Sequence, residues 1–381
     1  MTLTSQDMKQ FLQRGFTRRN FGQIATMIAG ASALPFYNEP ALAQLSRVRG
    51  DLPPDAVLIN ANENPLGPCA EARDAVHNIV AKGGRYMYGE TDKVAKILSE
   101  QEGVKQEYIR IYAGSSAPLH QSVLAFTTPT KPLVMGDPGY EAGSRAADFI
   151  GSKVIKVPLK KDFSHDVKAM VAASSESGLI YICNPNNPTG TLTPKSDIQW
   201  LVENKPKGAV VLIDEAYTHI AGDDYFNTDL VAKDKDVIVL RTFSKIYGMA
   251  GLRAGAAIGR PDLIEKMGGW GAGMMPITGM AAASTSLQVK GLIPDRRKII
   301  GGVREDTLSF LTAKGFTVVP SVSNKFMVDV KQPGRQVIEK MAAEHVYIGR
   351  VWPIWPTYVR VSVGTQEEMS KFKTAFVKVM A

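Results

Sequence analysis

Cysteine is scarce. Cys69 and Cys183 are the two in 381 residues, too few for a disulfide scaffold. Cys183 lies inside an apolar run, where a buried free thiol is the expected state, and an oxidising compartment leaves a disulfide between the two open. No spacing of histidine and cysteine matches a metal site. Repeats and low-complexity tracts are also missing, which sets aside solenoid and disordered classes. Lysine and arginine outnumber aspartate and glutamate by 45 to 37, a net charge of +8, but the basic residues are spread along the chain. Lys160-Lys161 and Arg296-Arg297-Lys298 form only small clusters of the kind usually found on solvated faces, so nothing points to nucleic acid. The apolar run from Ile24 to Phe36 falls short of the ~20 residues of a comfortable membrane span.

That run belongs to a leader. Thr17-Arg18-Arg19-Asn20-Phe21 matches a twin-arginine export signal, the apolar run follows it, and Ala41-Leu42-Ala43 supplies small residues for cleavage before Gln44. Residues 1–43 are therefore expected to be a signal peptide, read by the twin-arginine export machinery and taking the protein to the periplasm or otherwise out of the cytoplasm. That route carries folded proteins, so a cofactor loaded in the cytoplasm can travel inside. Cleavage removes four basic and two acidic residues, lowering the net charge to +6 and leaving 338 residues, enough for two domains and a substantial core.

The chemistry concentrates between Arg241 and Gly259, in RTFSKIYGMAGLRAGAAIG. Lys245 offers an amine able to condense with an aldehyde, Thr242 and Ser244 can bond anionic oxygens, and Arg253 can add a charge-assisted fork to the same phosphate. A cofactor carrying both an aldehyde and a phosphate is pyridoxal phosphate (PLP). Two more segments converge on it. NPNNPTG (Asn184 to Gly190) ends the apolar run Leu179 to Cys183, and DEAY (Asp214 to Tyr217) ends the run Ala209 to Ile213. Both are thus expected at the carboxyl ends of buried strands, where open α/β sheets bind ligands. Asp214 is suited to hold a pyridinium nitrogen protonated, and Asn187 and Tyr217 to bond a phenolate oxygen on the ring. Each has an ordinary alternative, since Asn-Pro marks turns and Asp after a strand often caps a helix. Their order along the chain, with Lys245 further on, favours a site.

Together with NANENPLGP (Asn60 to Pro68), RYMYGE (Arg85 to Glu90), AGSS (Ala113 to Ser116), DPGYEA (Asp137 to Ala142) and YVRVSVGT (Tyr358 to Thr365), these segments make eight ordered matches. On them the chain, after about residue 50, resembles the fold-type I PLP enzymes, and within them the histidinol-phosphate aminotransferase-like group of class I/II aminotransferases. The resemblance implies that Lys245 forms the Schiff base with the cofactor and later shuttles the substrate proton. It implies that Asp214 pairs with the ring nitrogen, that Asn187 and Tyr217 hold the ring hydroxyl, and that Tyr140 stacks on the ring. The phosphate would lie on the backbone amides of Ser115 and Ser116, with Thr242, Ser244 and Arg253 around it. Pro118 suits the first turn of a helix, and a helix start with small residues receives anions well.

Tyr86 resembles the tyrosine that reaches the phosphate of a neighbouring subunit, with Tyr88 competing for the role. Arg360 matches the arginine that grips the substrate carboxylate; it sits in an alternating run, Val359 to Val363, on the same face as Ser362. Arg350 resembles a second anion-binding arginine, and Asn62 belongs with the substrate-binding residues. A homodimer with shared active sites follows from the same resemblance.

The chain also departs from its relatives. Ser116-Ala117-Pro118 stands where the group carries acidic residues, and GGWGAGMMPITGM (Gly268 to Met280) stands where relatives have an asparagine-containing substrate loop. These methionines and tryptophans, with Trp352 and Trp355 beside the arginines, are either core or the lining of an apolar side-chain pocket. Histidinol phosphate belongs to a cytoplasmic pathway, so the expected substrate of an exported enzyme is a free L-amino acid, an aromatic or other large apolar one first, with a 2-oxo acid as acceptor. Other PLP chemistry on an amino acid (racemase, decarboxylase or oxidase) and a non-catalytic PLP-binding protein are the alternatives, because fold and cofactor do not choose the bond broken.

The expected fold is α/β: a large domain with a mostly parallel seven-stranded sheet flanked by helices (aspartate aminotransferase-like, fold type I), plus a smaller C-terminal α+β domain. Strands are expected at 109–113, 132–135, 154–158, 179–183, 209–213, 237–240 and 254–258, then at 317–319, 326–330 and 359–363. Helices are expected at 298–313 and 366–379. The domain division reads 1–43 signal peptide, 44–65 N-terminal arm, 66–284 large PLP-binding domain and 285–381 small domain.

Overall fold

A strand buried on both faces is expected to be largely apolar, and Leu179–Cys183, Val210–Asp214 and Val237–Thr242, buried at every residue, carry charged side chains only at their carboxyl ends. In the computed structural model, which describes residues 5–29, 52–270 and 275–381, they form the centre of a seven-stranded sheet. The strands are β1 (Val57–Ile59), β2 (Ile109–Tyr112), β3 (Leu133–Asp137), β4 (Val154–Pro158), β5 (Leu179–Cys183), β6 (Val210–Asp214), β7 (Val237–Thr242), β8 (Gly255–Gly259), β9 (Thr317–Val318), β10 (Lys325–Asp329), β11 (Val346–Ile348) and β12 (Tyr358–Ser362). The large sheet runs β2-β8-β7-β6-β5-β3-β4. Its strands are parallel except β8, which is antiparallel to both β7 and β2.

All seven expected strands of this sheet are present, with ends displaced by no more than two residues. Register fixes what matters for a ligand: Cys183 lies beside Asp214, so the loop after β5 and the residues after β6 emerge side by side. Helix Ser116–Phe126 follows β2 and is buried from Pro118 to its end. Its start is held close to the sheet because Gly255 has no side chain; a Cβ there would come within 2.6 Å of the Gly114 carbonyl carbon.

The C-terminal part builds a three-stranded antiparallel sheet, β12-β10-β9, backed by helix Gln366–Met380, whose start carries a Thr365/Glu368 capping box. Phe326, Phe372 and Phe376 form part of the core beneath it. Helix Leu292–Ala313 begins six residues before the expected Lys298, because Pro294 sits in the first turn, where its missing N–H leaves no bond unmade. β1 pairs in parallel with β11, which ties the segment before Asn60 to this end of the molecule.

Near the N-terminus, helices Ser5–Gln13 and Arg18–Ala29 lie against the body. Phe16 and Ile24 are buried with Leu124 and Ile150, and Arg14 donates to the Leu124 and Ala125 carbonyls at the end of helix Ser116–Phe126. The stretch Thr17 to Asn20 forms the start of the second helix: Thr17 Oγ1 accepts from the Asn20 amide at 3.1 Å, and Arg18 and Arg19 are exposed. The expected cleavage site at Ala41-Leu42-Ala43 and residues 44–51 of the expected arm lie outside the described residues. Among the described residues, no helix is long and apolar enough to cross a membrane.

Candidate active site

At the carboxyl ends of β5, β6 and β7 the sheet opens into a cavity of about 290 Å³. Its wall includes Ser115, Ser116, Tyr140, Asn187, Asp214, Tyr217, Thr242, Ser244, Lys245 and Arg253. Ten of the fourteen side chains singled out, Lys245 included, are thus brought to one place from six segments of the chain.

One corner gathers groups able to hold an anion. Ser115 and Ser116 start helix Ser116–Phe126, whose first amides have no partner within the helix. Thr242 Oγ1 bonds Ser244 Oγ at 3.0 Å, and Arg253 stands behind them, donating to Ser244 Oγ at 3.4 Å and to the carbonyls of Ala250 and Ala113 at 2.9 and 3.0 Å. A Cβ on Gly114 would collide with the Arg253 guanidinium, so glycine is required for the close approach. Burial pulls the Arg253 guanidinium below its ordinary pKa, the response of a cation withdrawn from water, and an anion beside it would offset that cost.

The floor carries an acid. Asp214, at the end of β6, accepts from Tyr181 OH at 3.0 Å and from the Ala216 amide at 3.2 Å. Burial nevertheless raises its carboxyl above the usual carboxylate range, against the pull of those bonds and of Lys245 and Lys325. Such a group gains from a cationic partner.

The opposite wall is assembled from distant segments. Asn62, in the left-handed region at φ 53°, accepts at its carbonyl from Lys245 Nζ at 2.9 Å, while its side-chain amide donates to Tyr217 OH at 3.1 Å. Its own amide N–H is held by Ser362 Oγ at 2.8 Å, on β12. Arg360, fully buried on β12, donates to Asn187 Oδ1 at 3.0 Å and to the Asn60 carbonyl at 2.6 Å. Gly349 lies against it, where a Cβ would come within 2.8 Å of the Arg360 carbonyl oxygen.

Four singled-out residues stand apart from the cavity wall, and one of them, Asn62, touches it through Lys245 and Tyr217. Arg360 reaches it through Asn187. Arg350 is paired with Glu141 at 2.6 Å and lies over the Trp352 ring at 4.6 Å. Tyr86 is 69 % exposed, stacked near Tyr88, and meets solvent in this chain. Trp352 resolves as core: it is 1 % exposed, packed with Val319 and Met327, and its indole N–H donates to the Gly139 carbonyl. The Gly271 to Met274 stretch of the glycine- and methionine-rich segment lies outside the described residues. Cys69 and Cys183 are buried free thiols, Cys183 in the cavity wall, so neither forms the disulfide left open by the sequence.

Sequence reading passed over Tyr181, hidden as one more apolar letter in LIYIC, and Asn324, which donates to the Asn62 carbonyl at 3.1 Å. It also passed over Lys325, whose signal was in plain view: a lysine heading the otherwise apolar strand KFMVD.

Residues 54–376 match the family described as Aminotransferase class I and II. The chain belongs to that family. It is 33 % identical over 366 residues to Histidinol-phosphate aminotransferase 1 of Nitrosococcus oceani, covering 92 % of this chain and 95 % of that one. To the Aromatic amino acid aminotransferase of Cutibacterium acnes it is 30 % identical over 319 residues, 82 % of this chain and 90 % of the relative. The crystal structure of histidinol-phosphate aminotransferase from Sinorhizobium meliloti in complex with pyridoxal-5'-phosphate superposes with a TM-score of 0.79 at 24 % identity, covering 91 % of this chain and 95 % of that one. That last likeness is one of fold: an α/β architecture with a mostly parallel central sheet flanked by helices.

Proposed function

We propose that this aminotransferase uses PLP to move the amino group of a free L-amino acid to a 2-oxo acid. The observation that carries the reading is the cavity itself, where the Lys245 amine, the buried Asp214 carboxyl, the Asn187 and Tyr217 pair and an anion-binding corner share about 290 Å³. The residues fit the cofactor. Ser115, Ser116, Thr242, Ser244 and Arg253 suit its phosphate, Asp214 its ring nitrogen, Asn187 and Tyr217 its ring oxygen, and Tyr140 its ring face. When bound, PLP supplies an aldehyde that takes up amines and a ring that accommodates the electrons of a cleaved Cα–H bond.

The side chains supply the rest. Lys245, kept in the cavity by the Asn62 carbonyl, moves the proton at the substrate Cα. Arg360 recognises the substrate carboxylate as a fork, giving up its present bonds to Asn187 and Asn60, and so orients the Cα towards Lys245. Arg350 is already engaged by Glu141, which leaves the carboxylate role to Arg360. Apolar walls at Ala61, Leu119 and Cys183 keep water from the reacting carbon.

Export belongs to the same proposal. Arg18 and Arg19 stand exposed in the first turn of a helix, where positive charge opposes the helix dipole, so helix stability does not account for the pair. An enzyme carried out through the twin-arginine route and cleaved before Gln44 meets free amino acids of the periplasm, and a large apolar or aromatic one is the first choice. A homodimer is proposed on the exposed Tyr86, an aromatic that a partner subunit would cover. The domain division 44–65, 66–284 and 285–381 is retained with it.

Incubating the purified protein with panels of amino acids and 2-oxo acids tests the reaction. A new amino acid should form with at least one pair; none forming while PLP stays bound would reject transamination. Cell fractionation tests the export: recovery of an uncleaved chain from the cytoplasm alone would reject it.

A further inference from the structure

A second lysine lies beside the site. Lys325 is 0 % exposed, and its Nζ stands 3.0 Å from the centroid of the Tyr217 ring, against 5.6 Å for Lys245. The ammonium donates to Ser323 Oγ at 2.9 Å, and its charge reaches both Asp214 and the Cys183 thiol. Its place is fixed by sheet register: β10 sets Lys325 opposite Ser362, the residue whose hydroxyl holds Asn62, which in turn donates to Tyr217 OH. The C-terminal sheet therefore grips Tyr217 twice, at its hydroxyl through Ser362 and Asn62, and at its ring face through Lys325.

An ammonium withdrawn from water is costly to keep, and the face of an aromatic ring is one of the few apolar surfaces that attracts it. Over a phenol such a charge does more than pack. It draws electron density from the ring, makes the hydroxyl a stronger hydrogen-bond donor and favours negative charge on any oxygen that Tyr217 contacts.

We propose that Lys325 is a positioning residue that tunes Tyr217, strengthening its bond to the anionic ring oxygen of bound PLP and lowering the pH at which the bound cofactor changes colour. The inference rests on the PLP reading above. The other ionisable groups around Tyr217 are Lys245, Asp214 and Tyr181 behind it, with Arg360 acting through Asn187. With Lys245 joined to the cofactor, Lys325 is the ammonium beside Tyr217 that disfavours extra positive charge there, and removing it relaxes that effect.

The test is a visible pH titration of PLP-loaded wild-type protein, Lys325→Met, Lys325→Gln and Lys325→Arg, with each variant repeated in a Tyr217→Phe background. The colour midpoint should rise by about one pH unit in both neutral variants. It should stay within a few tenths of a unit of wild type in Lys325→Arg, and the rise should shrink when Tyr217 is phenylalanine. A purely structural lysine would lower the melting temperature and leave the midpoint unmoved, which overturns the inference. Failure of both neutral variants to fold would assign Lys325 to stability and overturn it as well. A wild-type protein without any visible band would overturn the PLP reading and this inference together; a normal band with an unmoved midpoint overturns this inference alone.

Discussion

The anion-binding corner and the wall facing it solve one problem by different means. The corner draws on residues 113–116 and 241–253, two short stretches whose hydroxyls, arginine and helix start lie together because β2 and β7 both flank β8. The facing wall draws on Asn60, Asn62, Asn187, Tyr217, Ser362 and Arg360, and joins residues as far as 300 positions apart. A local corner tolerates loss of one member because backbone amides remain. A wall tied by long-range side-chain bonds does not, since each buried partner left behind loses a bond in a place water does not reach.

Replacing Lys245, which belongs to both regions, should have the largest effect. Lys245→Ala should abolish the visible band of the loaded protein and cut turnover by at least about 10²- to 10⁴-fold, read by absorbance and steady-state kinetics. Survival of wild-type turnover would remove the chemistry from both regions at once.

Acid is the next perturbation, and it falls on the large-sheet side. His120, on helix Ser116–Phe126, His165, against the Cys183 carbonyl, and His219, just after Tyr217, are all pushed down by burial from 6.5 to about 4. Between these values the unfolded chain binds more protons than the folded one. Stability from these groups is thus fully present above about pH 6.5 and lost as pH falls towards 4, on the order of 1–3 kcal/mol for each. Asp214, raised by burial, works weakly against that trend. Melting temperatures of the cofactor-free protein across this range check the sign; a flat profile would contradict it.

The two arginines give the sharpest contrast. Arg360→Ala should leave PLP bound yet lower kcat/KM by about 10²-fold, because a charged hydrogen-bond partner is worth about 1.5–3 kcal/mol and two further segments lose their tie. Arg253→Ala should weaken PLP binding by only about tenfold, with the helix start and hydroxyls still in place. Equal losses in the two variants, measured by cofactor titration and kinetics, would erase the distinction between corner and wall.

How far each region was legible follows the same division. RTFSK with GLRAG, AGSS, NPNNPTG and DEAY are contiguous letters whose chemistry and position after apolar runs pointed to Lys245, Ser115, Asn187, Asp214 and the strands that carry them. Tyr181 and Asn324 carry no such mark, because their role depends on what a neighbouring strand or loop presents. Lys325 was anomalous in its strand, but only the pairing of β10 with β12 shows that it lies over Tyr217. Trp352 was open between core and pocket until packing against Val319 and Met327 settled it as core.

The amino-acid order by itself therefore determined the sheet, the polar corner beside it and the place of Lys245 at the strand ends, since periodicity, turn residues and clustered functional groups act over a few neighbouring positions. Only the tertiary structure decided that Arg360 bonds Asn187, that Arg350 is engaged by Glu141 and that a second ammonium covers Tyr217. Those are contacts between segments far apart along the chain, set by strand register and by which buried groups must find a partner.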